Sequence, residues 1–131
     1  MPKLYAFDVD HTLEVQGGPY PPGPVRFMDM RILKLAGEIV GVAGNFPVFT
    51  QLVPNWWDLV SFFGPTESAR NYLIAKTTFL KQVKRFVRAS DYIMVGNNPR
   101  VLRLPCSDDW QAARDAGYRF ISEKDFADGK R

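Results

Sequence analysis

Only one cysteine, Cys106, occurs in the 131 residues, so no internal disulfide is available and nothing argues for secretion or an oxidising compartment. Long apolar runs are missing as well. No stretch approaches bilayer-spanning length, and no leading segment couples a basic start to an extended apolar run, so a cytoplasmic protein without membrane contact is expected. Internal repeats and low-complexity tracts are absent, which excludes a repeat architecture. Histidine is equally scarce, and His11, with no partner motif, is a poor candidate for catalysis. Charge of neither sign dominates: the net charge is +3 and the pI about 9.1, a mild basic excess that favours anionic ligands without demanding nucleic acid.

What is present reads as one globular unit, a single domain over residues 1–131. Apolar residues make up 46% and charged residues 24%, ordinary values for a packed core. The apolar run Leu4 to Phe7 predicts a first strand. Gly17 to Pro24, rich in proline and glycine, predicts a loop. Val25 to Gly37 predicts a helix with Met28, Ile32 and Leu35 on its apolar stripe, widened by Phe27, Met30 and Leu33. Ile39 to Ala43 predicts a buried parallel strand closed by Gly44 and Asn45. The third strand is either Leu59 to Phe63 or Tyr72 to Ala75. Thr77 to Ala89 predicts an amphipathic helix, with Lys81, Lys84, Arg85 and Arg88 opposite Phe79, Val83, Phe86 and Val87. Asp91 to Gly96 predicts a strand, Asp109 to Ala116 a helix ended by Gly117, and Tyr118 to Ile121 a last strand. This alternation implies an α/β fold: a doubly wound, mainly parallel, Rossmann-like sheet with helices on both faces.

The chemistry concentrates after the first strand, where Asp8, Asp10 and Thr12 follow in quick succession. Such a strand delivers both acids to the carboxyl edge of the sheet, where open α/β sheets bind ligands. Two carboxylates crowded there repel each other unless a divalent cation sits between them or one carries a proton, and both conditions suit phosphoryl transfer. An acidic turn that merely ends an edge strand is the plainer alternative.

Phe7-Asp8-Val9-Asp10-His11-Thr12-Leu13 resembles the first motif of the haloacid dehalogenase-like phosphohydrolases, apolar-Asp-x-Asp-x-Thr-apolar, with His11 in place of the commoner glycine. The resemblance implies that Asp8 attacks phosphorus, that Asp10 protonates the leaving group and later activates water, and that Mg2+ is the cofactor. Thr12 is then a substrate-side or turn-fixing hydroxyl. The family's second motif, a Ser or Thr after the second strand, is replaced here by Ala43-Gly44-Asn45, so either Asn45 or a backbone N–H freed by Gly44 must compensate, or Gly44-Asn45 is only a turn. Loss of a comparable oxyanion donor costs about 2.7–4 kcal/mol.

Lys76 fits the family's third motif, a lysine that holds phosphoryl and nucleophile charges together. The fourth motif is represented by Val95-Gly96-Asn97, with Asn for Asp, and by Asp109-Trp110-Gln111-Ala112-Ala113 through Ala116-Gly117, separated by an apparent insertion from Asn98 to Asp108. The implied metal set is Asp8, Asp10, Asn97 and Asp109, with Asp108 as a substitute for Asp109 and helix capping as the plain role for either acid. No interval leaves room for a cap domain. An open site then implies a large phosphorylated substrate or an oligomer whose neighbours act as lids, with Trp56, Trp57, Phe62 and Phe63 as contacts and Arg100 and Arg103 as anion partners. The expected function is a magnesium-dependent phosphatase working through an aspartyl-phosphate. Rival readings are a weakly active or non-catalytic binding module of the same fold, supported by Gly44 and Asn97, and a response-regulator receiver. A receiver needs a phospho-accepting Asp at the end of a central strand, and none is found near Ala43 to Asn45.

Overall fold

The structure is a computed structural model and describes residues 1–66, 71–102 and 106–131. Its strands are β1 (Leu4–Phe7), β2 (Ile39–Ala43), β3 (Phe62–Gly64), β4 (Tyr92–Gly96) and β5 (Arg119–Ser122). Its helices are α1 (Phe27–Leu35), α2 (Phe46–Leu52), α3 (Trp56–Leu59), α4 (Tyr72–Phe86), α5 (Pro99–Leu102), α6 (Asp109–Ala116) and α7 (Glu123–Ala127). All five strands run parallel in the order β3-β2-β1-β4-β5. The chain moves outward from β1 through β2 to β3, then returns to the other side of β1 at β4. That reversal creates a crevice at the carboxyl ends of β1 and β4, the place where doubly wound sheets bind ligands.

Burial on both faces explains why β1 reads as a continuous apolar run rather than an alternation. Tyr5 and Phe7 point to one layer, where they pack with Phe49, Ile121 and Phe126. Leu4 and Ala6 point to the other, formed by Leu80, Val83, Ala112, Ala113 and Ala116 of α4 and α6. The small residues of α6 let it approach α4 closely, and this contact carries the site. Among the described residues no helix is long and apolar enough to cross a membrane.

The third strand is β3, which overlaps Leu59 to Phe63 at its end only; Tyr72 to Ala75 open α4 instead. α4 thus begins five residues before Thr77, because Asn71 caps it by accepting from the backbone N–H groups of Leu73 and Ile74. The expected stripe of α1 is corrected. Met30 and Leu33 are the buried apolar residues, whereas Met28, Ile32 and Leu35 are exposed. Two apolar stripes compete on this helix, and packing against the sheet selects one. Phe86, expected on the core side of α4, is exposed at the helix end. The interval read as an insertion contains α5, and α7 was not anticipated. Of the four aromatics considered as contacts, Trp56 packs edge-on against Phe63 at 5.3 Å and Phe62 packs near Phe79, leaving Trp57 the most exposed.

Candidate active site

β1 ends at Phe7, so Asp8 is the first residue past the strand, its N–H bonded to the Val95 carbonyl of β4. The chain then turns sharply, with the Thr12 and Leu13 N–H groups returning to the Val9 carbonyl. His11 adopts φ 60° in this turn, the left-handed region that glycine occupies at least cost. The proline-rich loop folds back over the turn: Gly23 donates to the Leu13 carbonyl, and a Cβ on Gly23 would stand 2.4 Å from the Thr12 backbone. Only glycine permits that approach. Thr12 is thereby sealed at 0% exposure and shares its hydroxyl proton between Asp8 Oδ2 and Asn97 Oδ1, each at 3.3 Å. It braces Asp8 from beneath and does not line the cavity.

Lys76 enters from α4 and is almost wholly buried, an uncommon state for lysine unless it is paired. Its Nζ donates to Asp8 Oδ1 at 3.0 Å and to Asp109 Oδ1 at 2.5 Å. Burial alone would lower the ammonium's pKa, but Asp109 and Asp8 outweigh it and hold it above its ordinary value. Asp109, fully buried, is pushed up to about 8 by burial and then by the Asp8 charge, against the pull of Lys76. Its second oxygen accepts the Asn97 backbone N–H at 2.7 Å. Asp108 faces elsewhere, capping α6 through the Gln111 N–H and pairing with Arg100 at 2.9 Å. Arg100 also lies over the Trp110 ring, so it is committed rather than free for an anion; Arg103 lies outside the described residues.

Asp8 and Asp10 line the same cavity, of about 530 Å³, together with Lys76, Asn45 and Ser107 and with Tyr20 and Tyr72 on its walls. Asp10 is half-buried and accepts from Asn45 Nδ2 at 3.0 Å. Burial raises its pKa, and the Asp8 charge adds to the rise while the Asn45 hydrogen bond opposes it. The shift favours a proton on Asp10. Cys106 shares the cavity, but burial followed by the nearby carboxylates raises its pKa, so its nucleophilic thiolate is disfavoured.

Gly44 does not line the cavity. A Cβ there would meet Asp8 Oδ1 at 2.4 Å, so the family's hydroxyl has no room while Asp8 holds this position. Two neighbours escaped the sequence reading. Ser107 approaches Asp109 Oδ1 at 3.1 Å and Asp8 Oδ2 at 3.4 Å, with no motif to mark it. Glu123 is 9% exposed, and its Oε2 finds no hydrogen-bond partner among the described residues. The signal for Glu123 was register: Gly96 pairs with Ser122, so the next residues, Asn97 and Glu123, share the rim.

The resemblance implies magnesium, and the donor set meets it in part. Asp8, Asp10, Asn97 and Asp109 offer only oxygen, which suits a hard cation. Asp8 Oδ2 and Asn97 Oδ1 converge on Thr12, whereas Asp10 turns toward Asn45 and Asp109 is engaged by Lys76 and the Asn97 N–H. Among the described residues no three His, Cys, Asp or Glu side chains form a metal-holding group. Asn97 is fully buried, does not line the cavity and has its Oδ1 on the Thr12 hydroxyl, so Asp8 and Asp10 are the acids of the set that face the cavity together. Comparisons with protein-family models, with curated proteins and with solved structures gave no match.

Proposed function

We propose that the chain is a magnesium-dependent phosphohydrolase of the haloacid dehalogenase-like type, acting on a phosphate monoester through an aspartyl-phosphate. The observation that carries this reading is the buried Lys76 ammonium, 3.0 Å from the Asp8 carboxylate in the wall of a cavity that Asp10 also lines. An anionic phosphoryl group entering this cavity meets a fixed positive charge beside the attacking oxygen, an arrangement that stabilises charge without reorganisation. In the first step an Asp8 oxygen bonds to phosphorus, the bond from phosphorus to the ester oxygen breaks, and the departing alkoxide takes the Asp10 proton. In the second, water attacks phosphorus, the Asp10 carboxylate takes the water's proton, and the bond to Asp8 breaks to release phosphate. The raised pKa of Asp10 supports its part in both steps. Magnesium would be held from the cavity by Asp8 and Asp10, with Asn97 behind them, and would supply positive charge against the phosphoryl oxygens. Asn97 contributes no charge of its own, so metal affinity is weaker than with an aspartate in that position.

The test is hydrolysis of para-nitrophenyl phosphate with magnesium, for the native chain and for Asp8→Asn. Activity lost in Asp8→Asn, together with covalent 32P labelling of the native chain alone, supports the reading. A folded native chain with no such activity favours the binding module.

A further inference from the structure

We propose that the Ser107 hydroxyl donates the hydrogen bond to the transferred phosphoryl group that the family takes from the position of Gly44. This rests on the phosphohydrolase reading above. Position 44 is sterically closed, since any Cβ would stand 2.4 Å from Asp8 Oδ1. Thr12 reaches Asp8 but is sealed beneath it, and the Asn45 amide, which gives one of its two N–H groups to Asp10 at 3.0 Å, makes no hydrogen bond to Asp8 among the described residues. Among the described residues, Ser107 is the neutral side-chain donor that both lines the cavity and lies within hydrogen-bond distance of Asp8.

Its one proton is shared between Asp109 Oδ1 at 3.1 Å and Asp8 Oδ2 at 3.4 Å, and an entering phosphoryl oxygen competes with these two acceptors for it. Lys76 Nζ donates to Ser107 Oγ at 3.4 Å, occupying a lone pair and turning the O–H away from the ammonium toward the acids. The contact to Asp8 Oδ2 is long, 3.4 Å, and therefore weak. Once Asp8 bonds to phosphorus its charge passes to the phosphoryl oxygens, and rotation about one side-chain bond carries the Ser107 proton to them. No bond to Ser107 forms or breaks. It sits in the segment preceding α6 rather than in a helix or strand, so truncating it leaves the layers of the fold intact.

The experiment compares native, Ser107→Ala and Ser107→Cys chains in magnesium-supported hydrolysis of para-nitrophenyl phosphate and in inhibition by vanadate, which mimics the phosphoryl group in transfer. Removal of such a donor predicts a kcat about 10²-fold lower with KM changed less than about threefold. The vanadate inhibition constant rises in parallel with the kcat loss. Ser107→Cys, similar in size but a weak donor, shows the same loss without a cavity. Unchanged kcat in Ser107→Ala overturns the proposal. So does a fall in kcat at constant vanadate affinity, which marks a residue that only positions Lys76. Either result leaves the phosphohydrolase reading standing, because the Asp8→Asn control is then still inactive beside an active native chain. A native chain inactive in the same assay overturns both.

Discussion

Placing a serine at position 44, as the resembled motif would have it, should damage this site, not repair it. Gly44 lies directly after β2, against Asp8, and a Cβ built on it falls 2.4 Å from Asp8 Oδ1 and 3.1 Å from the Val9 nitrogen. The first distance is about 1 Å short of ordinary contact, and β2 cannot retreat because it is paired on both sides by β1 and β3. The carboxylate must therefore move, lengthening its 3.0 Å contact with Lys76. A displacement of about 1 Å of a reacting group costs about 10²-fold in rate, equivalent to about 2.7 kcal/mol of barrier. Overpacking a closed position adds about 1–3 kcal/mol of lost stability. Gly44→Ala and Gly44→Ser should thus both lower kcat on para-nitrophenyl phosphate about 10²-fold and shift urea unfolding by the stated amount. A Gly44→Ser chain as active as the native one, or more so, would show that Asp8 is not confined as described.

Three further outcomes are expected. Lys76→Met strands two buried carboxylates and should cost about 3–5 kcal/mol in urea unfolding, with part recovered in Lys76→Met/Asp109→Asn; full native stability in the single variant would contradict the buried pair. Asn71→Ala removes the cap of α4 and should cost about 1 kcal/mol in the same assay. Tyr118, whose hydroxyl donates to the Leu80 carbonyl at 2.7 Å, has its pKa raised above 10.0, first by burial. The folded chain keeps this proton where the unfolded chain has lost it, so its stabilisation is complete below pH 10.0 and is lost as pH rises toward the folded value. Tyr118→Phe should therefore be less stable at neutral pH and lose less on alkaline titration.

The parts of the fold that were legible are those whose physics is local. A strand buried on both faces must be apolar throughout, so Leu4 to Phe7 and Ile39 to Ala43 stand out, and the carboxylates after the first mark the rim. Gly117, at φ 77°, ends α6 where the pattern stops. α1 was legible as a helix but not in its orientation, because Met28-Ile32-Leu35 and Met30-Leu33 are both apolar and only the tertiary contact chooses. The start of α4 depended on Asn71, a polar residue with no periodic signal. Within the site, Asp8 was marked by the acidic run after the first strand and Lys76 by the resemblance to the third motif, and the structure brings them together. Ser107 and the closure of position 44 were out of reach, since both arise from contacts between residues 99 and 36 positions apart in the chain.

Lys76 ties together acids that are made at very different times. During synthesis Asp8 emerges 68 residues before the lysine, and the lysine 33 residues before Asp109. Until α6 docks on α4 the cation and its second anion remain apart. Bringing these residues together closes two long loops, an entropic cost that the packing of the layers must offset. The lysine with both of its acids is thus a property of the finished tertiary structure, and any lesion that keeps α6 off α4 takes the second anion away from the cation.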